Sequence, residues 1–351
     1  MAQSTEVTPA RADEAADSRG RFASWLSVIA AGVAAAALIA VVARVSAPLL
    51  RPVPDVVIAL VIGIAIRNLT QTRIAEPGAK FVTHYVLRGA IVLIGASFTL
   101  GTVAGQGSSV LGLVIGLVAL AFALGLLLAR MARLPQTIAV LVGAGTAICG
   151  ASAILVTSPI VRAKSTETAY AIATIFTFNV LALLSYPVIG HWLGLRQETF
   201  GVWAGTAVND TSIVIATGFA YGHAAGGVAT VVKLTRTVLL LPLAALLAAW
   251  FSWKENATTS TAAALRRAIP WFILGFIALA ALRSAGLIPA PLVSLASILA
   301  SFGVVMVLAA VGLNVDLRSL MKMGAKPLLV GLLLGLLMSA VSLGAVLFLG
   351  L

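Results

Sequence analysis

Two polar, glycine-rich interruptions break apolar stretches that are otherwise long enough to cross a bilayer. The first runs from Gly143 to Ser152 and contains Gly145, Thr146, Cys149 and Gly150. The second runs from Gly205 to Ser212 and contains Asn209, Asp210 and Thr211. Lipid cannot satisfy exposed backbone groups, so broken backbone at membrane depth must line a cavity enclosed by protein. Two broken helices facing one cavity form the substrate site in many secondary transporters.

Only 10% of the 351 residues are charged and 61% are hydrophobic, against about 25% charged in soluble domains. The mean hydropathy is +1.10. The expected fold class is therefore an all-α polytopic membrane protein, in contact with lipid over most of its surface. Residues 1–22 are rich in Ala, Ser, Asp, Glu and Arg without an apolar run, which reads as a disordered cytoplasmic tail and not a signal peptide. Residues 23–351 form the transmembrane domain. Hydropathy predicts about eleven spans, near 24–45, 53–67, 82–103, 109–129, 135–161, 167–189, 197–222, 226–251, 268–286, 290–313 and 326–350. The broken ones are 135–161 and 197–222.

The net charge of +12 raises nucleic acid as a partner, but the basic residues lie mostly in short connections, where they set topology. With the N-terminus inside, the inner connections hold Arg67, Arg73, Lys80, Arg130, Arg133, Arg196, Lys254, Arg266, Arg267, Arg318, Lys322 and Lys326, besides the tail arginines. The outer ones hold Arg44, Arg51, Arg162, Lys164 and Arg283. The bias is about three to one and predicts N-inside, C-outside, provided that both broken segments cross completely. A weak internal repeat relates Gly95–Val103 to Gly312–Leu320, with a glycine at the same offset beyond each (Gly107 and Gly324). The copies enter the membrane in opposite senses, as in inverted-repeat transporters.

Three charges lie within spans: Arg88, Lys233 and Arg236. Lys233 and Arg236, at i and i+3, share a helix face with Thr230 and Thr237. They read either as an oxyanion site or as residues that reach an interface or pair with Asp210. Arg88, near the start of its span, reads as a site residue or as one reaching the interface. Asp210 is the most interior carboxylate, able to exchange a proton or, with Asn209 and Thr211, to hold sodium. Asp316 reads as a helix-end residue. In the first interruption a half-helix beginning near Ile148 or Cys149 would turn free N–H groups toward an anion, with Gly145, Thr146, Gly150 and Ser152 around it. Small residues there also suit tight helix packing, and Cys149 reads as a packing residue beside the site. Thr211 and Ser212 complete the second interruption.

His84, His191 and His223 lie at or near span ends and form no metal-ligand set. No phosphate-binding Gly-x-x-x-x-Gly-Lys-Ser/Thr pattern occurs, and no nucleophile–base pair. Neither an enzyme nor an ATP-driven pump is expected, and no metal or cofactor.

The stretches Leu141–Ile154, Val202–Ser212 and Val231–Arg236 resemble signature segments of the sulfate exporter family of bacterial inner-membrane proteins. The resemblance covers most of the chain after the tail. It implies a wider group of cation/proton antiporters and anion symporters with inverted repeats, crossed broken helices and an elevator-like moving core. It also implies a substrate such as sulfate, sulfite or a sulfonate, and a homodimer by analogy with elevator-type relatives. One departure is Asn209, where many members carry a titratable histidine. The sequence thus predicts a secondary exporter or exchanger of a small oxyanion, coupled to protons or sodium through Asp210. The alternative is a monovalent cation/proton antiporter using Asn209-Asp210.

Overall fold

The computed structural model describes residues 29–50, 53–71, 73–101, 107–255, 271–318 and 325–351. The expected tail, Arg51, Arg266, Arg267, Lys322 and Gly324 lie outside these, as do the side chains of Lys254 and Lys326. Every regular element among the described residues is helical. Among the described residues six helices are long and apolar enough to cross a membrane, and four more apolar helices are shorter.

In chain order the elements begin with α1 (Ile29–Ser46), α2 (Asp55–Thr70) and α3 (Glu76–Phe81). A π-helical turn (Val82–Val86) joins α3 to α4 (Leu87–Gly95). Next come α5 (Gly107–Met131), α6 (Gln136–Ala147), α7 (Ala151–Ile160) and α8 (Ser165–Trp192). Then follow α9 (Gln197–Ala207), α10 (Thr211–Tyr221), α11 (His223–Val238) and α12 (Leu240–Glu255). The chain closes with α13 (Trp271–Ser284), α14 (Ala290–Leu313) and α15 (Ala325–Leu349). The helix expected over 82–103 starts six residues earlier, at Glu76, and ends at Gly95. The one expected over 226–251 divides at Leu239, three residues before Pro242, whose ring cannot follow an unbroken turn.

The helices form two layers. In one, α2 packs on α14, α4 on α13 and α14, and α1 on α3. In the other, α5, α6, α8, α9, α10, α11 and α15 pack on one another, with α7 and α12 at the side. Helix α10 bridges the layers by touching α2 and α14. Helices α4 and α14 are antiparallel: Ile94 and Phe98 share one small cavity with Ser297 and Ser301, whereas Arg88 meets Val311 and Asn314 in another. The repeat-bearing ends at Gly95 and Gly312 therefore lie at opposite ends of this pair, the sense that an inverted repeat requires.

Neither interrupted segment crosses the bundle, which corrects the assumption on which the eleven spans rest. In the first, Thr137 near the start of α6 donates to Glu167 at the start of α8 (2.8 Å), and Ser158 near the end of α7 bonds Thr168 (2.6 Å). Both ends of the α6–α7 pair are thus level with the start of α8. In the second, Phe200 of α9 stacks on Tyr221 of α10 with centroids 3.8 Å apart, and Gln197 accepts from the N–H of Ala224 (3.0 Å). Both ends of the α9–α10 pair lie beside the end of α8, where Tyr186 stacks on Trp203. Each segment is a re-entrant helical hairpin. Its arms of 10 to 12 residues reach about 15–18 Å at 1.5 Å per residue, half of an apolar core of about 30 Å. The hairpins enter from opposite ends of α8 and meet tip to tip. Hydropathy has no sign for direction, so a crossing and a return look alike in sequence.

Candidate functional site

The tips meet at Gly150 and Asp210. Gly150 has φ +61° and ψ −125°, a conformation that suits glycine, and a Cβ there would lie 3.2 Å from Asp210 Cα. Helix α8 fixes the second tip. Asn179, buried midway along α8, accepts from the backbone N–H of Asn209 (2.9 Å) and Asp210 (3.3 Å).

A hairpin tip has two electrical faces. The first arm ends in unpaired carbonyls carrying partial negative charge, and the second begins with unpaired N–H groups carrying partial positive charge. The carbonyl ends of α6 and α9 converge on α11. Lys233 Nζ donates to Ile148 O (2.6 Å) and to Asn209 O. Arg236 donates from Nε to Ala147 O (2.7 Å), from Nη1 to Thr206 O (2.6 Å) and Val208 O (3.2 Å), and from Nη2 to Thr146 O. Small residues bring α11 this close: a Cβ on Gly201 or Gly205 would meet Val228 or Val232 at 2.7 Å.

The N–H ends of α7 and α10 open on a cleft of about 490 Å³ between the layers. Asp210 caps α10, accepting from Ser212 N (2.9 Å), Ile213 N (3.4 Å) and the Ser212 hydroxyl. Gly150 gives α7 no side-chain cap. Across the cleft stand Lys80, Thr83, His84 and Arg88 from the α3–α4 segment, with Phe272 and Asn314. The π-helical turn carries Thr83 and His84, and such turns recur at functional sites. Arg88 lies over the Phe272 ring, 5.7 Å from its centroid. No carboxylate among the described residues pairs with Arg88, Lys233 or Arg236 within 4.0 Å.

The profile of the conserved hypothetical protein 698 family matches residues 30–331. The chain belongs to this family. It is 33% identical over 299 residues to a UPF0324 membrane protein of Clostridium tetani, covering 82% of this chain and 87% of that one. A UPF0324 membrane protein of Streptococcus agalactiae is 36% identical over 286 residues (78% and 84%), and one of Streptococcus pyogenes serotype M3 is 40% identical over 285 (78% and 84%). No solved structure matches the chain. In keeping with these relatives and with its apolar helices, this member of the conserved hypothetical protein 698 family is an integral membrane protein.

The expected site residues divide into three places in this family member. Ser152, Asp210, Thr211 and Ser212 line the cleft. Gly145, Thr146, Cys149, Gly150 and Asn209 are buried in the arms and tips. Gly145 packs on Ile154 and Ile175, while Thr146 Oγ1 and both ends of the Asn209 amide have no hydrogen-bond partner. Lys233 and Arg236 sit on the carbonyl face and not in the cleft, and neither forms the pair with Asp210 that was the alternative to a site role. Arg67 lies 3.7 Å from Asp316, which follows the end of α14. Arg88, left open between site and interface, lies in the cleft with His84 and Asn314, and Asn179 holds the second tip; sequence reasoning passed over Asn314 and Asn179 and set His84 near a span end. For Arg88 the available signal was the spacing Lys80, His84, Arg88; for Asn179 it was a lone amide in a long apolar helix.

Proposed function

We propose that this protein is a secondary active transporter of a small oxyanion such as sulfate, sulfite or a sulfonate. The observation that carries the reading is the cleft, lined by Arg88 together with Ala151 and Ser152 at the N-terminus of α7, which has no side-chain cap from its N-cap residue. Helix N-termini bind anions through their N–H groups, and arginine adds a planar fork of donors suited to oxyanions. The layer holding both tips would move past the layer of α2, α4, α13 and α14, in an elevator-like step between the two sides. Because both hairpins are re-entrant, Arg162 and Lys164 join the inner basic set and Arg196 the outer one. The charge bias then rises to about four to one for an inner-membrane protein with its N-terminus in the cytoplasm. With that orientation the cleft opens inward.

Ligand-dependent melting of the purified protein tests the reading. A sulfur oxyanion is expected to raise the melting temperature by mass action, and Arg88→Ala is expected to abolish the rise. If no oxyanion stabilises the protein, or Arg88→Ala responds like the wild type, the reading fails.

Asp210 shares the cleft with that anion, and coupling through a proton or sodium is assigned to it. Asp210→Asn is expected to uncouple oxyanion transport from the ion gradient while oxyanion binding persists; a variant that stays coupled removes Asp210 from the coupling step. The same position of Asp210 favours the second reading, a cation/proton antiporter. Stabilisation by sodium or lithium alone, lost in Asp210→Asn, would establish that reading in place of the first.

A further inference from the structure

The inference concerns the carbonyl face of the tips and holds whether or not the cleft carries an anion. The carbonyls at the ends of α6 and α9 are buried, with Ala147, Ile148, Val208 and Asn209 each at most 1% exposed. Water therefore does not serve them, and helix C-terminal ends left in this state need a positive partner. In transporters with interrupted helices, such carbonyl ends are where sodium is coordinated. Here Lys233 takes one carbonyl from each tip, Ile148 O from the first and Asn209 O from the second. Arg236, one turn further along α11, again takes carbonyls from both arms. Bridging two hairpins through backbone oxygens is the work of a dehydrated monovalent cation, done by side chains of the chain itself.

We propose that Lys233, supported by Arg236, is a built-in cation that stands where a bound sodium would otherwise join the two tips. The crossing then needs no sodium, since a third positive charge among the same carbonyls would be repelled by both side chains. Of the two coupling ions assigned to Asp210, this leaves the proton. Lys233 is a positioning residue in this scheme: it holds the tips in register and touches no substrate. The Asn209 amide, buried and unpartnered at both ends, is the group on the same tip through which a cation would bind if the proposal were wrong.

The test is thermal melting of the purified full-length protein in sodium chloride against choline chloride at equal ionic strength. No anion is varied, so failure of the oxyanion reading leaves the result untouched. Wild type is expected to melt at the same temperature in both salts. Lys233→Ala is expected to melt lower in choline and to regain part of the loss, saturably, in sodium, a response that a purely structural lysine would not give. Lys233→Arg is expected to behave as wild type. A saturable sodium-specific rise in the wild type, lost in Asn209→Ala, overturns the proposal. So does a Lys233→Ala protein that melts like the wild type in choline, or one that melts lower and gains nothing from sodium. If Lys233→Ala yields no folded protein in either salt, Lys233→Gln, which keeps most of the stem without the charge, is put through the same comparison: saturable rescue by sodium supports the proposal and its absence overturns it.

Discussion

Arg236→Ala is expected to lower the melting temperature more than any other single change at the tips, and the yield of folded, monodisperse protein with it. Arg236 is 3% exposed and its guanidinium reaches carbonyls on both re-entrant hairpins. Each buried acceptor left unpaired costs about 1–3 kcal/mol. Loss of the contacts to Ala147 O and Thr206 O alone therefore removes about 2–6 kcal/mol. That is a large part of a typical stability of about 5–15 kcal/mol. Alanine also leaves space that water could enter only by passing packed helices, so solvation does not repair the loss. Arg236→Lys keeps the charge but has a single nitrogen to offer where Arg236 uses three. An intermediate melting temperature is expected for it. Melting of the three proteins side by side checks the order wild type, lysine, alanine; an alanine variant as stable as wild type would show that the carbonyl ends do not depend on this residue.

The same residue shows how far sequence reasoning reaches. Lys233 and Arg236 were legible as one helix face inside a span, open between an anion site, a reach to the interface and a pair with Asp210. What that face meets was not legible, because the acceptors are backbone carbonyls, which leave no mark in a sequence. The anion-binding role expected of the pair passes to Arg88 in the proposed scheme. Arg88 is harder to place, since the π-helical turn just before it alters the helical register from which facing residues are counted. The interruptions themselves were plain from glycine and hydroxyl residues inside apolar runs. Their return to the side of entry was not, because it rests on tertiary contacts such as Thr137 with Glu167 and Phe200 with Tyr221. The correction strengthens the charge asymmetry because two re-entrant segments cancel, and only the connections around α8 change sides.

Gly150 is where these levels meet, and Gly150→Ala is expected to damage both stability and ligand response. Its φ of +61° with ψ −125° places the backbone where a side chain costs about 1–3 kcal/mol. The added methyl would also stand 3.2 Å from Asp210 Cα and 3.3 Å from Asp210 N. Both are backbone atoms, so no rotamer change relieves the contact and the tips must separate. Separation stretches the Lys233 bridge on one face and shifts Asp210 relative to Ser152 and Arg88 on the other. Gly145→Ala is the matched control: there the methyl meets the Ile154 side chain at 2.9 Å, and a flexible chain end yields more easily than backbone. The expected result is a lower melting temperature and a lost oxyanion response for Gly150→Ala, with a smaller loss of stability and a retained response for Gly145→Ala. Equal behaviour of the two variants would mean that the tips do not bear on each other at Gly150, and the shared site between them would have to be abandoned.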